Sequence, residues 1–224
     1  MPVFESSFGP VAFVTVGIAF VFGKSSMVAS SRATVPTDAY RDILTIGSNR
    51  TVSRMLVECG GQLVWVVNIH LHSPIDAAEC RLEQMKQVLA WMGPVRQRGV
   101  GCIMMGDFNA GPAEPCYKLL TDLGWKSTHK LAHGQEPAVT FPGDGAGLMA
   151  STKDCDPAGT FDYIWLAGDV ELAPGGESSC QLFAEKQCGD DPTLYVSDHY
   201  GLYADLRVGT GSTTEAAYAA AFKE

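Results

Sequence analysis

Cys102-Ile103-Met104-Met105-Gly106-Asp107-Phe108-Asn109 is the stretch on which the fold turns. Four apolar residues suit a short strand covered on both faces. The strand runs out into a glycine, a carboxylate and a carboxamide. Asp and Asn oxygens are hard donors that suit Mg²⁺ or Mn²⁺, cations that keep several waters and bind substrate phosphates. An Asp-x-Asn after a strand is also a common turn, so its meaning depends on what else the chain places at strand ends.

Three other strands end in the same way. Upstream, Leu63-Val64-Trp65-Val66-Val67 is apolar throughout, as expected for a strand with both faces covered, and runs into Asn68-Ile69-His70-Leu71-His72. Cys59-Gly60-Gly61-Gln62 joins it as a hairpin to Ser53–Cys59. Downstream, Phe161–Leu166 carries Asp162-Tyr163-Ile164, and Ser197-Asp198-His199 stands just before Leu202–Val208. An open sheet presents groups to a cleft at its strand ends, and two imidazoles there can move protons near neutral pH.

Between these strands the period changes. Ala78, Leu82, Met85, Val88, Leu89 and Met92 recur at helical spacing, and Gly93-Pro94 is expected to end that helix. A second helix is expected over Glu114–Leu123, with Gly124 as its stop. Phe13–Phe22 reads as a buried strand and Cys180–Ala184 as another. Residues 23–50 read as loop with edge structure, and His129–Gly159 as a long irregular region of the kind that carries function. Alternating strands and helices with antiparallel hairpins point to a mixed-sheet α/β layered domain.

Taken in order, Asn68/His70, Gly106-Asp107-Phe108-Asn109, Asp162-Tyr163-Ile164 and Ser197-Asp198-His199 resemble the endonuclease/exonuclease/phosphatase superfamily. That group includes DNase I-type nucleases, abasic-site endonucleases, deadenylases, inositol-polyphosphate phosphatases and neutral sphingomyelinases. The resemblance runs from Val16-Gly17-Ile18-Ala19-Phe20 to about Leu206. It implies a four-layer α-β-β-α sandwich, DNase I-like, and hydrolysis of a phosphodiester or phosphomonoester by in-line attack of water. It also implies roles. His199 resembles the catalytic histidine, oriented by Asp162. Asp107 and Asn109 resemble the pair that positions the nucleophile and binds the metal, Mg²⁺ or Mn²⁺. Asp198 resembles a metal-site carboxylate, and His70, supported by Asn68, a histidine at the scissile phosphate. The stretch Glu136–Pro142 lies where family members carry substrate-choosing loops; Phe141 there either stacks a base or anchors a packed loop.

The family pattern also has an early Asn and a metal-ligating Glu preceded by Gln. Both fall before the strand matched by Phe13–Phe22, where only Met1–Ala12 stand, with Glu5 the one acidic residue. A βαβ unit needs about 30 residues. The expectation is therefore a domain over 13–208 whose first β-α-β segment is missing, a short lead at 1–12 and a flexible tail at 209–224. That gap keeps a second reading open, a non-catalytic binding or scaffold protein on the same fold.

Composition narrows the partners. The chain has 224 residues, 46% of them hydrophobic and 18% charged, as in an ordinary globular domain. Sixteen basic against twenty-five acidic residues give a net charge of −9. That argues against strong binding of duplex DNA, which runs on phosphate neutralisation. A phosphate-ester substrate (RNA, a nucleotide, a phosphoinositide or similar) stays compatible, because a bound cation supplies positive charge locally. The apolar run Phe8–Phe22 is too short and interrupted for a membrane span; a secretory signal is the alternative to a buried strand. Seven scattered cysteines in no metal-like spacing suit reduced thiols in an intracellular, cytoplasmic protein, with nucleus or organelle open and a Cys180–Cys188 bridge as the alternative. Arg81 reads as a partner for a nearby carboxylate, with a phosphate contact as the alternative, His72 as cleft rim or surface, and His129 and His133 as solvated.

Overall fold

Alternation along one strand lays out the layers. In β6 (Gln62–His70) every residue from Gln62 to Val67 is buried, and so is Ile69. Successive strand side chains point to opposite faces. Leu63, Trp65, Val67 and Ile69 therefore enter one core, while Val64 and Val66 enter another. The structure, a computed structural model, describes residues 12–21, 24–29, 33–34, 41–96, 100–143, 157–191 and 195–209, with the backbone alone before residue 41.

β6 belongs to a seven-stranded sheet. Its order is β3 (Ala33–Thr34), β5 (Thr51–Cys59), β6, β7 (Gly101–Asp107), β9 (Asp162–Ala167) and β8 (Lys126–Ser127), with β4 (Arg41–Thr45) also on β5. The β6–β7 pair is parallel, so its connection must cross over, and α1 (Ala78–Arg96) does so. The second sheet is antiparallel and centred on β12 (Gly201–Val208). β1 (Ala12–Val21) lies along one edge and carries β2 (Lys24–Ala29); β10 (Val170–Leu172) and β11 (Cys180–Phe183) share the other.

Leu202, Ala204, Leu206 and Val208 of β12 meet Val64, Val66, Ile103, Met105, Ile164 and Leu166 between the sheets. On the far side of the larger sheet, Trp65, Val67, Met104 and Trp165 receive Met85, Val88 and Met92 of α1 and Cys116 and Leu120 of α2 (Pro115–Asp122). Each such fully buried side chain contributes about 1.5–3 kcal/mol. Three of the four expected layers, helices, sheet and sheet, lie among the described residues.

Arg81 ties the helices to the sheet ends. It is fully buried, donates to both carboxylate oxygens of Glu114 at 2.9 Å, and donates to the carbonyls of His72, Pro74 and Ile75. The expected carboxylate partner is thus Glu114, at the N-cap of α2.

Several expectations change. Gly93-Pro94 does not end α1, which continues to Arg96; a proline this close to the end removes one helical hydrogen bond in a helix already docked by its apolar face. The stretch read as loop between 23 and 50 contains β2, β3 and β4. The irregular region opens with α3 (Thr128–His133), closed by Gly134 at φ 77°. Its histidines are not solvated: His129 Nδ1 meets the Gln135 carbonyl, His133 Nε2 meets the Cys180 carbonyl, and the two rings stack at 4.1 Å. Such short elements show too few turns or alternations to betray a period. Cys180 and Cys188 are both free thiols, as are Cys59, Cys80, Cys102 and Cys116. No described helix is long and apolar enough to cross a membrane. Of the tail expected at 209–224, residues 210–224 lie outside the described residues, as do residues 144–156.

Candidate active site

Strand register levels three of the four endings. His70 of β6 stands opposite Asp107 of β7, and Asp107 opposite Asp162 of β9. The last step of β7 needs Gly106: its φ is 141°, and a Cβ there would come within 1.9 Å of the Ile69 carbonyl oxygen. No other residue fits that approach. Beyond it Asn109 adopts φ 48°, a conformation that Asn tolerates, and turns back on Asp107. Its backbone N–H donates to Oδ1 at 2.7 Å and its Nδ2 to Oδ2 at 3.1 Å.

The fourth ending comes from the other sheet. His199, in the turn before β12, places Nδ1 at 2.8 Å from Oδ2 of Asp162. The Phe141 ring packs on the His199 ring at 4.9 Å between centroids. His70 Nε2 lies 3.5 Å from Asp107 Oδ2, and Arg50 Nη1 lies 3.1 Å from the same Nε2. Because guanidinium only donates, Nε2 accepts and the His70 proton sits on Nδ1.

The two histidines are tuned in opposite senses. Burial, then the charges of Arg50 and His199, lower the His70 pKa to about 4, against the pull of Asp162. It is therefore neutral at pH 7, and its contact with Asp107 is not an ion pair. For His199, burial works downward, but the charge of Asp162 and the hydrogen bond to it, with Asp107 and Asp198, raise it to about 9. Burial, then the charge of Asp162, pushes the Asp107 carboxyl well above the usual carboxylate range, with His199, the Asn109 N–H and Arg50 opposing.

Known proteins share this fold. No protein-family model matches the chain. Human Nocturnin is 29% identical over 174 residues, covering 73% of this chain and 38% of the relative. The chain thus spans about 38% of the length of the curated relatives that it matches. The crystal structure of D. rerio TDP2 complexed with single strand DNA product superposes with a TM-score of 0.62 at 20% identity, over 81% of this chain and 71% of that one. An endonuclease/exonuclease/phosphatase from Bacteroides vulgatus gives 0.56 at 16% identity, over 88% and 77%. The chain has the fold of the endonuclease/exonuclease/phosphatase superfamily.

In that superfamily fold the expected residues fall as follows. Asp107, Asp162 and His199 form one group whose candidate ligand atoms all lie within 4.8 Å of one another. Asn109 and His70 join it through Asp107. Asn68 is half-buried two residues before His70, on the same face of β6. Phe141 pairs with Gly159 as a loop anchor and also touches His199. Asp198 stands outside the three-residue group, accepting the Ser197 hydroxyl at 3.2 Å. Glu5 lies outside the described residues.

Arg50 escaped the sequence reading. It follows Gly47-Ser48-Asn49, all at positive φ, in a turn closed by Ile46 N–H on the Arg50 carbonyl. Its Nη2 donates to Ser73 Oγ. A single Arg after a polar turn carries no motif; only the β4–β5 hairpin brings it to His70.

A divalent cation fits these residues. Asp162 Oδ1 is buried and has no hydrogen-bond donor, a costly state for a carboxylate oxygen. Asp162 is in one group with Asp107 and His199, so two carboxylates and one imidazole offer ligand atoms to one small space.

Proposed function

We propose that the chain hydrolyses a phosphate ester with Mg²⁺ or Mn²⁺ bound at Asp107 and Asp162 beside His199. The observation that carries the reading is the Asp162–His199 bond at 2.8 Å, formed within reach of a buried Asp107 whose own oxygens are held by Asn109. A bound cation supplies charge compensation for the phosphoryl oxygens. The chain's residues do the rest. Asp107, held by Asn109, orients the attacking water and accepts its proton. The water oxygen bonds to phosphorus as the bond from phosphorus to the leaving oxygen breaks. His199, held as imidazolium by Asp162, offers Nε2–H to the charge that develops on the phosphoryl group. Arg50, whose guanidinium is oriented by neutral His70, receives another phosphoryl oxygen.

The TDP2 complex with single strand DNA product supports a single-stranded nucleic acid as the substrate class, as does Phe141 beside His199, because an aromatic ring can receive a base. The net charge of −9 weighs against duplex DNA. Free thiols accord with an intracellular setting.

The test is hydrolysis of bis-p-nitrophenyl phosphate, a nucleotide and an RNA oligomer during Mg²⁺ and Mn²⁺ titrations, with Asp107→Asn alongside. Metal-dependent turnover reduced at least about 100-fold in the variant supports the reading. No turnover of any of the three at any metal concentration favours the scaffold reading.

A further inference from the structure

Among the described residues, the backbone that carries Asp162 lacks a strand neighbour on one side. β8 pairs only with Trp165 and Leu166, so the edge of β9 at its first residue is left open. A buried N–H without an acceptor is costly. Here the acceptor is one side chain. Thr140 is fully buried, and its Oγ1 receives the N–H of Phe161 at 2.9 Å and that of Asp162 at 3.1 Å. A hydroxyl oxygen has two lone pairs, and both are used.

The same residue holds the other half of the pair. The Thr140 carbonyl accepts the N–H of Tyr200 at 2.7 Å, one residue after His199. Its own N–H donates to the Gly159 carbonyl, and Phe141 exchanges two backbone bonds with Gly159. Phe141 then lays its ring on that of His199. Thr140 is thus bonded to the chain on both sides of the Asp162–His199 contact, and these two segments come from different sheets.

We propose that Thr140 is a positioning residue, which sets the Asp162–His199 geometry by fixing both backbones to one hydroxyl and one carbonyl. Its catalytic consequence rests on the phosphate-ester reading; its geometric consequence does not. Valine keeps the shape of threonine and removes the acceptor, whereas serine keeps the acceptor. Valine therefore differs from threonine in the hydroxyl alone, and serine in the methyl alone.

The experiment compares wild type with Thr140→Val and Thr140→Ser. Proton NMR follows the His199 Nδ1–H bonded to Asp162, amide exchange follows Phe161 and Asp162, and steady-state kinetics uses bis-p-nitrophenyl phosphate. In Thr140→Val the Nδ1–H signal should move upfield or broaden away, the two amides should exchange at least about tenfold faster, and kcat should fall about tenfold or more with KM within twofold. Thr140→Ser should restore all three. Should the valine protein not fold, Thr140→Cys, whose sulfur is a weak acceptor of similar size, should show the same changes to a smaller degree. An unchanged His199 signal and unchanged kcat in a folded Thr140→Val protein would overturn the proposal. So would losses that serine fails to repair. If wild type turns over no phosphate ester, the functional reading fails, while the NMR signals still decide the role of Thr140.

Discussion

Nδ1 of His199 lies 2.8 Å from Oδ2 of Asp162, although Asp162 opens β9 in one sheet and His199 precedes β12 in the other. The contact therefore reports how the two sheets pack. It also links the chemistry of the site to the core between the sheets, where Ile164 and Leu202 follow the two residues.

His199→Ala should lower turnover by roughly 10²–10⁴-fold, the usual range for a general acid–base group. It also leaves the buried Asp162 carboxylate without its partner, at a cost of about 1–3 kcal/mol. Thermal unfolding beside kinetics at a fixed, well-folded temperature separates the two effects. Activity lost only in step with the folded fraction would mean that the ring serves packing.

Stability should respond to pH on both sides of neutrality. The folded pKa of His199 is raised to about 9, so its contribution is fully present below the unfolded value near 6.5 and is lost as pH rises through about 9. His70 is lowered to about 4. The unfolded chain then takes up that proton first, and stability falls as pH drops from 6.5 through about 4. Urea midpoints across pH 4–10 should show the alkaline loss shrinking in His199→Gln and the acid loss shrinking in His70→Gln. Asp107 titrates over the acid range as well, so differences from wild type carry the information.

Arg50→Ala should raise KM by about 10–100-fold, the worth of a charge-assisted hydrogen bond of 1.5–3 kcal/mol, with a smaller change in kcat. Arg50→Lys keeps the charge but not the fork that reaches both His70 and Ser73, and should recover part of the affinity. Equal KM values for all three proteins would remove Arg50 from substrate binding.

Arg81→Met should be among the most damaging single changes outside the catalytic group. It strands Glu114 and three backbone carbonyls, and breaking a buried pair of this kind costs about 3–5 kcal/mol. Urea unfolding gives the value. A loss under about 1 kcal/mol would show that water replaces the guanidinium at the surface of α2.

Thiol labelling in native buffer should reach Cys80 and Cys188 before the buried Cys59, Cys102, Cys116 and Cys180. Burial pushes Cys59 and Cys180 up to about 11 and Cys116 to about 12, so these hold little reactive thiolate at pH 8. Mass mapping after a short pulse gives the order, and early labelling of Cys102 or Cys116 would contradict the helix-side core.

The local pattern of the chain determined the strands that end in His70 and Asp107, the strand that Asp162 opens and the one that His199 precedes, both main helices and the burial of β6 on both faces. Those signals are periodic or sit in a motif within a few residues of one another. Gly93-Pro94 does not stop α1, because docking of Met85, Val88 and Met92 outweighs one lost hydrogen bond. Only the tertiary structure decided which side chains meet. Arg50 reaches His70 through a hairpin pairing, Thr140 meets Asp162 because β8 is short, and His129 and His133 are held by carbonyls of distant or irregular backbone. Each of these partners depends on register and sheet packing, which bring together residues with no common period along the chain.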